Sequence, residues 1–126
     1  MSFNHAVIWL DHQEAHIIHF NPVAAENEVI KTHSTHPHNG GAHGKIEQSY
    51  LHDVIHAVAN AREVLIVGPG SAKSELMKHV ARHDHALSDK IVGVETVDHP
   101  SDGQLLAYAK KYFLKVDNMK GDAAIH

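Results

Sequence analysis

Val64-Leu65-Ile66-Val67-Gly68-Pro69-Gly70-Ser71, running on through Ala72 to Leu76, decides the fold of this chain. Four buried-type residues in succession end in a Gly-Pro-Gly turn and pass into a helical pattern. That is the signature of a parallel-type strand delivering the chain to a helix N-terminus. Such a terminus presents free backbone N–H groups and the positive end of the helix dipole.

Upstream, His5 to Asp11 and Glu14 to Phe20 are rich in Val, Ile, Trp and Phe and are separated only by His12 and Gln13, which predicts an antiparallel hairpin. Both faces of these strands carry apolar groups, as expected of central strands covered on each side. Trp9 belongs to that core rather than to a cofactor pocket. Asn21 and Pro22 break the pattern, and Glu26 to Lys31 is a third strand with Val29 and Ile30 as its apolar content. Thr32 to Lys45 then carries four His, one Pro and three Gly without apolar periodicity, which predicts a flexible loop of a length that is often functional.

Ile46 to Asn60 is the first predicted helix, with Ile46, Tyr50, Leu51, Val54, Ile55 and Val58 on one face. Glu63 to Val67 is the fourth strand. The second helix runs from about Ala72 to His83 with Leu76, Met77 and Val80 inward, and Lys90 to Val97 is the fifth strand. Ser101 with Gln104 three residues on forms a capping box, starting a third helix that turns Leu105, Leu106, Ala109 and Phe113 inward. Asp117 to His126 has no pattern and is expected to be a flexible tail after a single domain spanning 1–116. The order β-β-β-α-β-α-β-α predicts an α/β, ribonuclease-H-like, three-layer domain around a mixed five-stranded sheet.

Composition narrows the function. The chain has 126 residues, 43% hydrophobic and 21% charged, which suits one α/β domain. No 18-residue apolar run and no basic start followed by an apolar block occur, so a membrane span and a signal peptide are not expected, and the location read from this is cytoplasmic. With no cysteine, His, Asp and Glu are the strong metal ligands available. A net charge of −4 with His neutral argues against broad DNA binding through a basic surface. Fifteen His make that charge depend on pH. At a reference pKa of about 6.5, roughly three quarters of exposed His are protonated near pH 6, enough to reverse the sign.

The segments "VLIVGPGSAKSEL", "HDHALSDKIVGVETVD" and "SDGQLLAYA" look like a strand, Gly-Ser turn, helix, last strand and final helix of one family. With the strand order, nearly the whole chain resembles the middle domain of eukaryotic and archaeal class I peptide chain release factors and of Pelota, and small single-domain bacterial proteins of this type, sometimes labelled translational-machinery proteins. The resemblance implies a ribosome or tRNA partner. In the release factors, a Gly-Gly-Gln tripeptide before the first long helix positions water for peptidyl-tRNA hydrolysis. Here Gly40 and Gly41 are followed by Ala42 and His43, and Gln48 lies seven residues past Gly41. The resemblance therefore implies a non-catalytic translation factor, as in Pelota, which serves without the tripeptide. An enzyme assignment is left open with a leaning against it.

Several residues are weighed as sites. In the loop, His33, His36, His38, Gly40, Gly41, His43 and Lys45 are candidate RNA or ribosome contacts, Gly permitting close backbone approach and His stacking or bonding to phosphate; the alternative is a solvated loop. His43 is the candidate general base of a rival peptidyl-tRNA or ester hydrolase. His52 with His56 and His79 with His83 are i, i+4 pairs able to chelate a divalent ion. No cofactor is expected, although adventitious zinc or nickel binding is, and a second rival is a His-rich pH- or metal-responsive interaction module. Gly68, Gly70 and Ser71 form a candidate anion-binding turn, or simply a turn in which Ser71 caps the helix; it lacks a P-loop's Lys-Ser/Thr spacing. Asp11 and Glu47 occupy places where ribonuclease-H-like nucleases carry metal-binding carboxylates, yet the fourth strand ends without an acid, and Asp11 reads more simply as a hairpin-turn residue. A homo-oligomer is left open.

Overall fold

The computed structural model describes the backbone of residues 3–32 and 46–125, with side chains as far as position 116. Five strands form one sheet: β1 (His5–Leu10), β2 (Glu14–Phe20), β3 (Ala25–Lys31), β4 (Glu63–Gly68) and β5 (Ile91–Thr96), in the spatial order β3-β2-β1-β4-β5. The first three make an antiparallel meander, whereas β4 lies parallel to β1 and β5 parallel to β4. The helices are α1 (Gln48–Ala57), α2 (Ala72–His83), the four-residue α3 (His85–Ser88) and α4 (Asp102–Ile125). This is the mixed-sheet, ribonuclease-H-like three-layer arrangement expected.

The period-2 geometry of the strands sorts the apolar residues into two cores. Ala6, Ile8, Leu10, Ile17, Val64 and Ile66 face α1 and α2, meeting Tyr50, Leu51, Val54, Leu76 and Val80. On the opposite face Val7, Trp9, Ile18, Phe20, Leu65 and Val67 meet Leu105, Ala109 and Phe113 of α4. Trp9 is a core residue, as expected, and its indole N–H donates to the Asp98 carbonyl at 2.8 Å. The indole thus satisfies its one donor while tying β1 to the chain entering α4. At the rim, His5 Nε2 lies 3.1 Å from Glu63 Oε1, and the His5 ring stacks on Phe113 with centroids 4.3 Å apart. The meander edge is different: Val29 is 47% exposed, so β3 contributes backbone pairing more than burial.

Local chemistry explains the ends. Ser101 and Gln104 form the reciprocal capping box, Gln104 N–H donating to Ser101 Oγ at 3.2 Å and Ser101 N–H to Gln104 Oε1 at 3.0 Å. Asp84 Oδ1 accepts from Leu87 N–H at 3.1 Å and so starts α3, a turn that buries Leu87 and that apolar spacing alone did not reveal. Where a patternless tail was expected from Asp117, the backbone stays helical to Ile125. Residues 117–125 contain no proline, and propagating a formed helix adds one hydrogen bond per residue without any need for apolar periodicity. None of the described helices is long and apolar enough to cross a membrane.

Gly68 is required by the parallel pairing. A Cβ there would collide with the backbone carbonyl oxygen of Leu10, an atom held inside the sheet. Gly68→Ala is expected to destabilise the fold by about 1–3 kcal/mol, the usual cost of overpacking a close-packed site. Gly70→Ala, which meets nothing within 4 Å, serves as the control in urea denaturation.

Candidate functional site

In a sheet where β1, β4 and β5 run parallel, the strands' C-terminal ends share one edge, and α2 and α4 begin there because each follows a strand directly. The β1–β2 turn is the hub of this edge. Asp11 Oδ1 accepts N–H donations from Gln13 at 2.8 Å and Glu14 at 2.9 Å, and Asp11 N–H donates to Glu14 O at 3.0 Å. Asp11 therefore fills the hairpin-turn role and its carboxylate is engaged by backbone donors. Tyr50 of α1 donates its hydroxyl to Asp11 O at 3.0 Å, and Thr32 N–H donates to Gln13 O at 2.8 Å. Both ends of the segment between β3 and α1 are thus tied to the same turn. Burial first, then the negative charges of Asp11 and Glu14, push the Tyr50 phenol far up, so it acts as a donor throughout the working pH range. Glu47, immediately before α1, accepts from Ser49 Oγ at 3.0 Å, and no three His, Asp or Glu side chains among the described residues converge as a metal site.

A second cluster joins β2 to the start of α4. His16 Nε2 lies 2.5 Å from Glu14 Oε2 and its Nδ1 lies 3.1 Å from Asp102 Oδ1. Its ring meets Trp9 edge-on at 5.7 Å, while His99 packs on Trp9 at 4.3 Å. With a carboxylate at each ring nitrogen, His16 offers neither nitrogen to a substrate as a base. The cluster is a tie between two elements. Sequence reasoning missed it because residues 86 positions apart leave no local signal.

At the proposed anion-binding turn, Gly68 is buried in β4, whereas Gly70 and Ser71 are exposed, and Lys73 Nζ donates to Gly70 O at 2.5 Å. Ser71 occupies the N-cap position of α2 but its side chain makes no cap hydrogen bond. The expected Ser71 cap is corrected for a conformational reason: φ −87° and ψ −7° already place Ser71 in the helical region, whereas an N-cap side chain reaches back from extended backbone.

The i, i+4 histidine pairs separate by environment. His52 and His56 are both exposed on α1, with ring centroids 6.5 Å apart. His79 is only 7% exposed, its Nδ1 is 2.9 Å from Gln48 Oε1, and the ring centroid of exposed His83 is 4.5 Å away. Burial first, then the positive charges of His83, His52 and Arg82, hold His79 below the usual imidazole range. Gln48, one residue into the α1 region, is engaged by this inner histidine. The loop candidates His33, His36, His38, Gly40, Gly41, His43 and Lys45 lie outside the described residues.

No protein-family model matches this chain, and no curated protein matches it by sequence. Its fold is similar to solved structures. Pelota from Thermoplasma acidophilum aligns at a TM-score of 0.61 and 18% identity, over 82% of this chain and 31% of that one. Pelota from Archaeoglobus fulgidus aligns at 0.63 and 10%, over 88% and 32% respectively. The archaeal translation termination factor aRF1 aligns at 0.55 and 15%, over 93% and 39%. The chain thus spans about a third of the length of these proteins and has the fold of a domain within them.

A lowered His79 has a pH consequence with a definite sign. The unfolded ring takes up its proton near pH 6.5 and the folded ring only at lower pH, so this residue's contribution is intact above about pH 6.5 and is lost as the pH falls from there through the folded value. Urea denaturation between pH 7.5 and 5.5, with chelator present, is expected to show a shallower loss of stability for His79→Leu than for the native chain. Parallel pH profiles would contradict the burial argument.

Proposed function

We propose that this chain is a non-catalytic, translation-related factor that meets the ribosome or tRNA through the segment between Thr32 and Ile46. The observation that carries this reading is the fold likeness to Pelota and aRF1. It is supported by the way the segment is mounted, both flanks being held to the β1–β2 turn through Thr32 N–H and the Tyr50 hydroxyl. Mounting at two points on the edge where strands end and helices begin lets a Gly- and His-containing segment be presented without disturbing the core.

The reading is non-catalytic on chemical grounds. Gly40 and Gly41 are followed by Ala42 and His43 and not by the glutamine of the release-factor tripeptide. Gln48 does not take its place, since its amide is engaged on both sides, Oε1 facing His79 at 2.9 Å and Nε2 donating to Ile46 O at 3.4 Å. In this reading His38, His43 and Lys45 supply contacts to phosphate and base, with Gly40 and Gly41 allowing close backbone approach.

Co-sedimentation with ribosomes and isolated subunits at two salt concentrations tests the proposal. The native chain is expected to pellet at low salt and to be released as salt rises, because contacts to phosphate release counterions. Deletion of residues 36–44, or combined His38→Ala, His43→Ala and Lys45→Ala, is expected to weaken pelleting at least tenfold. An absence of binding at low salt, or binding unchanged in both variants, would sink it.

A further inference from the structure

Gln48 decides which nitrogen of His79 is available. Its amide N–H points to Ile46 O at 3.4 Å, which leaves Oε1 facing His79 Nδ1 at 2.9 Å. An amide oxygen only accepts, so Nδ1 carries the proton and Nε2 keeps its lone pair. Among the described residues Nε2 takes part in no hydrogen bond, and no buried side-chain nitrogen or oxygen is left unpartnered. The lone pair must therefore reach solvent even though the residue as a whole is buried.

His83 lies one turn further along α2, with its ring 4.5 Å from that of His79 and the planes tilted by 47°. Two imidazoles on one ion at metal–nitrogen distances of about 2.0–2.1 Å bring their ring centres to roughly 4.5–5.2 Å, and the spacing of this pair falls at the lower end of that range. Orientation of one ligand by a hydrogen bond to its other nitrogen is the usual outer-shell device of metal sites. His52 and His56, at 6.5 Å, have no such orienting group among the described residues.

We propose that His79 Nε2 and His83 bind one divalent ion of the zinc, nickel or copper class, with Gln48 as the positioning residue. No third His, Asp or Glu among the described residues converges on this point, so water or an incoming ligand completes the coordination. Because Gln48 belongs to α1 and both ligands to α2, occupancy strengthens the contact between these two helices.

The test is a zinc chloride titration of the chelator-stripped full chain, followed through the ring nitrogen NMR signals of its histidines. The first stoichiometric event is expected to move His79 Nε2 and His83. His83→Ala, at an exposed position, and Gln48→Leu, which keeps both imidazoles, are each expected to weaken that event tenfold or more. The proposal is overturned if the first rings to move belong to His52 and His56 or to His33, His36, His38 and His43. Native-like binding by both variants, or no saturable event at tens of micromolar zinc, overturns it equally, leaving adventitious metal only.

Discussion

Parallel pairing of β1 with β4 is the constraint on which the molecule rests. It makes β1 an inner strand with an antiparallel neighbour on one side and a parallel one on the other. An inner strand needs cover on both faces, and Ala6 to Leu10 are all buried. Each fully buried Val, Leu or Ile side chain contributes about 1.5–3 kcal/mol, so the two cores together supply the main driving force. A parallel neighbour also demands a crossover, and α1 provides it. Gly68 is the narrowest point of the pairing, because only a residue without Cβ passes the Leu10 carbonyl.

The same pairing sets the character of the edge where strands end and helices begin. Acidic residues collect there, yet they are used within the fold. Asp11 accepts backbone N–H groups, and Glu14 and Asp102 share the ring of His16. Carboxylates so engaged organise the turn and the start of α4, and among the described residues they do not converge on a common point as two-metal hydrolysis requires. The same turn holds both flanks of the segment between Thr32 and Ile46, through Thr32 N–H and the Tyr50 hydroxyl.

What was legible in the sequence was whatever is local. The hairpin, the α1 and α2 faces and the Ser101–Gln104 box all repeat at spacings of two to four residues, within the reach of periodicity and capping. Contacts that join distant elements left no such trace: His16 with Asp102, His79 with Gln48, and the Trp9 indole with Asp98. Ser71 shows the opposite error. A favourable residue stood at the right position, but its backbone conformation withdrew the side chain from capping. The helical continuation beyond Asp117 was hidden because its apolar residues, Met119, Ala123, Ala124 and Ile125, are interrupted by Gly121 and charged residues, although helix propagation needs no apolar pattern.

His5 and Glu63 stand 58 positions apart, yet they meet at the first rung of the β1–β4 ladder. This separation has a kinetic meaning. The meander closes through short turns, whereas the second half of the sheet needs a contact of high sequence separation, the kind of closure that slows folding. The length of the intervening chain enters that closure only logarithmically, each doubling of a flexible loop costing about 0.6 kcal/mol. Insertions and deletions between β3 and α1 are therefore inexpensive to the assembly of the domain. The scaffold can thus carry a connection of differing length at this point without a change of fold.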